Sequence, residues 1–409
     1  MDFISIVENL PFITNFKRKL RKKEYINSTQ AAKETAELFF QLIENSINEK
    51  SITNLAELIL VVTHIGKMFT TIDPIQFCTG NTVKRIMHII REEIKDSIKE
   101  DKADYDKTQE IIAEKIKNAK NSIQKLRNFD LEEKKEKENS ETKDKENDDE
   151  NEDESTSEKT STQKLYELQK QKLNVPITET IKNNILQRIE ELISEIENIS
   201  VSIIDLKEIK DLISDGDIIL TSNYSQHVAE ILIENAKTKK FKVLVAESSP
   251  LLSKKRQSEI LIQKGIDTTV IHDNDVYDVM NKMAKIKVLI GARAIMVNGG
   301  LITYSGAYNI CLAANMFYIP VIVVGGTTKI TPLHSFKHEL YNEYLSPDLI
   351  FGKNVKYEGD ISNIQFNNPA FDYVPPNLIT MYATNIGIIN PKYLYRLFAD
   401  MYDGEDYEI

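Results

Sequence analysis

The chain is predicted to be an α/β protein: an N-terminal α-helical bundle followed by a Rossmann-like, doubly wound and mostly parallel sheet domain. Three observations predict this. Apolar residues recur at helical spacing up to about residue 100 and again over 181–199; a stretch without any apolar side chain separates those regions; and from about Ile203 short apolar runs alternate with helix-length segments. With 409 residues and 41% hydrophobic composition, there is enough apolar material for two cores.

The helical part opens with the basic run Lys17 to Lys23. Leu20 lies inside it and Phe16 and Tyr25 flank it, which predicts the solvated face of a first helix; a protein or RNA contact is the functional alternative. Ser28 is a capping-type residue, and Ala32, Leu38, Phe39, Leu42 and Ile43 follow it on one stripe. Similar stripes at 52–69 and 81–98 complete an antiparallel bundle whose last member is 181–199. Residues 132–164 contain no aliphatic or aromatic side chain, cannot offset the entropy of ordering, and are expected to be disordered. The expected domains are therefore 1–131 with 165–200, the insert 132–164, and 201–409.

Charge and cysteine usage exclude several classes. Of the net charge of −11, about −8 sits between Glu132 and Thr160, where 14 acids face 6 bases. The remainder is nearly neutral, so a nucleic-acid partner, which needs a broad basic face, is not expected. Cys78 and Cys311 stand alone, which argues against a disulfide framework, a zinc site or any other metal site. No run of roughly 20 uncharged apolar residues is evident, and the N-terminal segment carries acids where a secretion signal would carry bases. No membrane partner is expected, and a cytoplasmic location is.

In the C-terminal part, strands are predicted at 217–221, 242–247, 268–271, 287–290, 294–297 and 321–324, with helices at 225–237, 253–264, 275–284 and 305–315. Residues 288–324 read as one βαβ unit: strand, glycine-marked loop, helix, strand. Ligands in such sheets sit beyond the carboxyl ends of the strands. The candidate pocket is thus Asn223, Arg293, Asn298, Gly299, Ser305 and Gly306. Ser305 and Gly306 begin a helix that could hold a phosphate through backbone N–H groups, or they form a plain cap. His272, Asp273 and Asp275 could be an acid/base or metal cluster, but Asp275 is better placed as the N-cap of the next helix. His227 near Ser222 and Ser225 shows no triad logic. No catalytic residue and no cofactor are assigned.

Several strings carry a family resemblance: FCTGNTVKRIMHIIREE at 77–93, VLVAE at 243–247, the glycines at 291 and 299–300, FDYVPPNLIT at 371–380, Asn385 to Gly387, and NPKYLYRL at 390–397. They are similar to the regulatory alpha, beta and delta subunits of translation initiation factor 2B. The Asp372 to Pro376 and Asn385 to Gly387 signatures point to the beta type. The resemblance implies a non-catalytic scaffold and sensor within a guanine nucleotide exchange complex. Its partners would be the delta, alpha, gamma and epsilon subunits, with exchange residing in epsilon, and initiation factor 2, through its alpha subunit, phosphorylated or not.

Within that frame, Lys84, Arg85 and Arg91 are candidates for contacting initiation factor 2, with internal ion pairing as the alternative for Arg85 and Arg91. Tyr373, Val374, Pro375, Pro376, Asn385, Tyr393 and Tyr395 are candidates for a subunit interface, with packing inside their own domain as the alternative. The same superfamily includes methylthioribose-1-phosphate and ribose-1,5-bisphosphate isomerases, and a sugar-phosphate isomerase or small-molecule sensor is the competing reading. The resemblance places their cysteine at Asn223, their aspartate at Arg293, and their Asn-Lys pair at Thr303 and Tyr304, which removes the proton-transfer groups and the phosphate partner.

Overall fold

The computed structural model describes residues 10–24, 27–48, 52, 54–100, 177–247, 253–333, 342–351, 365 and 367–407; the acidic stretch 132–164 lies outside them. Helix α1 (Pro11–Arg21) starts on a proline, whose missing N–H is no loss in a first turn. It ends on Arg18, Lys19 and Arg21, which complement the negative end of the helix dipole. Ile13, Phe16 and Leu20 are its buried face, so much of the basic run is the outer surface of this helix.

Four longer helices follow: α2 (Ser28–Asn48), α3 (Leu55–Ile72), α4 (Phe77–Glu100) and α5 (Glu179–Asp205). The predicted stripe of α2 is buried at Ala32, Leu38, Phe39, Leu42 and Ile43. Phe69 of α3 meets the rings of Phe16 and Phe39 at centroid distances of 4.8 and 6.2 Å. The expectation that no segment has membrane-spanning length and apolarity is corrected at α3, which passes that test by length and composition alone. Its Val62, Ile65 and Phe69 are buried within the protein.

The chain divides into two compact units: Met1–Ser46, Ile59–Ile89 and Leu186–Ile409 in one, Ile47–Leu58 and Ile90–Ile185 in the other. In the smaller unit Ile52, Leu55, Leu58, Ile90, Ile94, Ile181 and Ile185 are buried, and Asn184 donates to Glu93 at 3.4 Å. Across the boundary expected near residue 200, α5 is one continuous helix.

A short helix, α6 (Lys207–Lys210), leads into the sheet, which alternates strand and helix. The order is β1 (Ile218–Ser222), α7 (Gln226–Ala236), β2 (Lys242–Ala246), α8 (Ser253–Gln263), β3 (Asp267–Ile271), α9 (Val276–Lys282), β4 (Ile286–Gly291), β5 (Ala294–Met296), β6 (Leu301–Tyr304), α10 (Ala307–Met316) and β7 (Val321–Val324). There follow β8 (Ile330–Thr331), α11 (Asp348–Phe351), β9 (Phe371–Val374), β10 (Met381–Thr384), β11 (Gly387–Ile389) and α12 (Leu394–Met401). Seven strands form the main sheet in the order β11-β10-β7-β4-β1-β2-β3, all parallel except the β10–β11 hairpin.

The central strands β2, β1, β4 and β7 are buried at most positions, which is why apolar residues predominate in them, while the edge strand β3 is largely exposed. Adjacent residues diverge: Ile219 joins Ile199 and Ile203 of α5 with Val228 and Leu232 of α7, whereas Leu220 joins Met280, Ile310 and Phe398 from α9, α10 and α12.

The structure corrects the reading of 288–324 as a simple βαβ unit. β4 and β7 do pair in parallel, but between them the hairpin β5–β6 leaves the main sheet for a second sheet ordered β8-β5-β6-β9. The glycine-marked loop is thus a hairpin turn plus a strand, and the high polarity of Asn298-Gly299-Gly300 concealed the Leu301–Tyr304 strand behind it. Gly299 sits at φ +81° in that turn, where a side chain would be strained and a Cβ would meet the Pro391 carbonyl at 2.8 Å. The expected cap is corrected too. Asp273–Asp275 forms a 3₁₀ turn, and the Asp275 side chain makes no capping bond to α9.

Candidate functional site

Of the candidate residues, Asn223 follows β1, Arg293 follows β4, and Ser305 and Gly306 precede α10, whereas Asn298 and Gly299 lie apart in the β5–β6 turn of the second sheet. Asn223 directly follows β1 with φ +44°, a left-handed turn that asparagine tolerates better than most side chains. It is buried, and its amide donates to the Ser305 carbonyl at 3.4 Å. Arg293 follows β4, donates to the Ile75 carbonyl at 3.4 Å, and lies 5.7 Å from the ring centre of Phe371. Asn298 is exposed and supports its turn, accepting from Gly300 N–H at 2.9 Å and donating to the Tyr373 hydroxyl at 3.0 Å.

At the start of α10, Gly306 adopts φ +97° and occupies the N-cap position. The Asp372 carboxylate of β9 accepts from Gly306 N–H at 2.8 Å and Tyr308 N–H at 3.1 Å. The anion at this helix N-terminus is therefore the chain's own. Burial pushes the Asp372 carboxyl up, opposed by its bonds from the Tyr308 and Gly306 N–H groups and from Ser305. Asp372→Ala is expected to cost about 1–2 kcal/mol in denaturant unfolding, as for loss of a strong cap. Asp372→Asn keeps an acceptor and should recover most of that; an Asn variant as unstable as the Ala variant would make charge, not bonding, decisive.

Two further titratable groups lie at these strand ends. His227, near the start of α7, is buried; burial, with Lys329 as a smaller contributor, pushes its pKa down to about 3, so it is neutral at pH 7. Lys329, also buried, donates to the Ala292 carbonyl at 2.7 Å, and burial pushes its amine down to about 8. Among the described residues, Ser222 Oγ, His227 Nε2, Gln257 Nε2 and Arg293 Nε are buried and meet no hydrogen-bond partner.

Lys84 and Arg85 face inward, which corrects their expected availability to a partner. Lys84 is 2% exposed, donates to the Tyr407 carbonyl at 3.3 Å, and is pushed down to about 8 by burial, with Asp406 opposing. Arg85 makes a bidentate pair with Glu195 of α5, at 3.1 and 2.6 Å. Thr327, in the loop after β7, donates to the same carboxylate at 3.0 Å, and its N–H donates to Asn385 at 2.9 Å. Beside them, Asn81 donates to the Thr328 carbonyl at 2.9 Å. The reason is helical geometry: Asn81, Lys84 and Arg85 share one face of α4, and that face is turned toward the sheet's strand ends. Arg91 lies a turn and a half further on and is partly exposed.

The expected interface residues also separate. Tyr373 and Val374 are strand residues registered with Ile302 and Leu301, and Val374 is fully buried, so this segment is part of the second sheet and not a free docking strand. Pro375 continues extended and Pro376 opens a 3₁₀ turn. Asn385 holds Thr327, as above. Tyr393 and Tyr395 are each 69% exposed. Glu195, Thr327 and Asp372 gave no signal of a site, because each acquires its role only from a residue far away in sequence. Tyr382 is similar: it is buried and donates to the Gly299 carbonyl at 2.8 Å.

These features define a Rossmann-like protein whose strand-end crevice is tied up by its own amides, guanidinium and carboxylate, with a helical segment clasped to it. The chain belongs to the Initiation factor 2 subunit family, whose model matches residues 28–391. It is 31% identical over 400 residues to the translation initiation factor eIF2B subunit beta of Dictyostelium discoideum, covering 95% of this chain and 94% of the relative. Among solved structures it is similar to eIF2B beta from Chaetomium thermophilum, with a TM-score of 0.63 and 21% identity over 98% of this chain and 96% of that one. A chain of the tetrameric eIF2B-beta2-delta2 complex from the same organism matches with a TM-score of 0.59 and 20% identity over 98% of each.

Proposed function

We infer that this chain is a beta-type regulatory subunit of the initiation factor 2B guanine nucleotide exchange complex. The observation that carries this reading is the likeness to a beta subunit over nearly the whole of both chains. The geometry agrees: Asn223 supports a backbone turn, His227 is held neutral, and the helix N-terminus of α10 is filled by Asp372. The chain contributes architecture, and nucleotide exchange belongs to another subunit. Its partners in this reading are a delta-type subunit first, then alpha, gamma and epsilon subunits and initiation factor 2, in the cytoplasm.

Native mass spectrometry of the chain co-expressed with the delta-type subunit of its own source is expected to show a stable hetero-oligomer of 1:1 composition. A chain that stays alone at micromolar concentration would overturn the reading.

A further inference from the structure

Two motifs of the sequence have no part in the subunit reading: the basic run 17–23 and the acidic insert. Six of the seven residues 17–23 are bases, and six of the seven residues 148–154, Asp-Asp-Glu-Asn-Glu-Asp-Glu, are acids with no base among them. The first half of the insert nearly neutralises itself, because over 132–147 seven acids stand among five bases. Most of the insert's net charge is therefore gathered in residues 148–154.

The structure separates the bases of the run that are already paired from those that face water. Lys19 pairs with Glu34 at 2.7 Å, and Lys23 pairs with Glu343. Arg18, Arg21 and Lys22 lie three and four residues apart, so they form one exposed stripe of α1, turned away from the buried Ile13, Phe16 and Leu20. Arg18 donates to the neutral Asn15 side chain at 3.0 Å, and Lys22 reaches Glu24 at 3.6 Å, where both side chains stand in water. The helix itself contains no acid. One base in the last turn would serve the helix dipole, but three on one stripe repel one another, so the dipole alone does not account for them. Two are arginines, whose planar fork takes a carboxylate through two parallel hydrogen bonds.

We propose that the acidic segment 148–154 docks on the Arg18, Arg21 and Lys22 stripe of its own chain and holds it against other polyanions. Reach permits this: Asp148 lies 48 residues after the end of α4 and Glu154 25 residues before the start of α5. Chains of those lengths span at most roughly 160 and 80 Å, against about 30 Å for the diameter of a small domain. Tethering makes weak pairing sufficient. Exposed ion pairs contribute little one by one, but an attached segment is present at an effective concentration on the order of millimolar, and several charges act together. The contact is electrostatic, so it weakens as salt shortens the screening length from about 30 Å at 0.01 M to about 3 Å at 1 M. A nucleic acid is the rival occupant, disfavoured by the near neutrality of the chain outside the insert. The proposal is independent of the subunit reading above.

The test uses the full-length chain carrying a dye pair on Thr14→Cys, one turn before Arg18, and on Asn151→Cys. Cys78 and Cys311 are buried, which keeps the labels on the new sites. Energy transfer between the dyes at about 20 mM salt is expected to fall about 2-fold or more at about 500 mM. The same fall at low salt is expected from Arg18→Gln with Arg21→Gln and Lys22→Gln, and independently from amide replacement of the six acids of 148–154. If one set fails to fold, the other still decides. Neutralising the acids should also tighten the binding of a fluorescent single-stranded RNA probe about 10-fold, and adding the α1 substitutions should abolish that gain. Transfer that ignores salt and both sets overturns the proposal. So does a fall caused by Lys240→Gln with Lys242→Gln and not by the α1 set, which moves the contact to another basic cluster. Equal transfer in a mixture of singly labelled chains makes the contact intermolecular and overturns the choice of occupant. RNA affinity that depends on the α1 bases but not on the acids makes nucleic acid the occupant and overturns it as well.

Discussion

Lowering the pH from 7 to 4.5 is expected to cost the fold about 2–3 kcal/mol through His227 alone. In the unfolded chain this imidazole takes up its proton near 6.5; in the folded protein it does so only at about 3, because burial and then Lys329 oppose the charge. A depressed folded value means that stability is fully present above 6.5 and is lost as the pH falls toward 3, at about 1.4 kcal/mol per unit. The position of His227 in the first turn of α7, at the positive end of the helix dipole, acts in the same sense. Urea unfolding at the two pH values, repeated on His227→Leu, isolates the effect, because other titrating groups are common to both proteins. The variant should lose markedly less stability on acidification; an equal loss in both would remove His227 as the cause.

Glu195→Ala is expected to lower stability by about 2–3 kcal/mol at pH 7. Burial alone would push the Glu195 carboxyl up. The Arg85 hydrogen bonds and charge, helped by Thr327 and Asn385, outweigh burial and hold it below its usual value. Removing it strands the Arg85 guanidinium, which is only 18% exposed, and the Thr327 hydroxyl. Breaking a fully buried pair costs about 3–5 kcal/mol, and the figure here is lower because Glu195 keeps 34% of its side chain in water. Removing both partners in Arg85→Met with Glu195→Met should cost less than the single Glu195→Ala change, since no charge is then left unpaired. Additive losses in that cycle would mean that the two residues do not act as a pair.

The helical stripes and the alternation of strands with helices were legible because both depend on neighbours within a few residues. The stripe through Ala32, Phe39 and Ile43 and the apolar runs of β1, β2, β4 and β7 follow directly from side-chain period. β6 was not legible, since Leu301–Tyr304 follows a polar turn and is a strand only because it pairs with β5 and β9. The candidate site was legible in part. Asn223, Arg293, Ser305 and Gly306 do gather near the strand ends, but the residue that fills the helix N-terminus, Asp372, comes from a strand 66 residues after Gly306.

By itself, then, the sequence determined the class of each segment, the uneven distribution of charge, and through the 77–93 and 371–397 strings the family. Those are properties of local spacing and of residue identity. Tertiary structure alone decided which polar groups meet: that Lys84 and Arg85 turn inward to Tyr407 and Glu195, that Asp372 caps α10, and that Tyr318 stands in water. Hydrogen bonds and burial depend on distances between residues far apart in the chain, and spacing along the sequence carries no record of those distances.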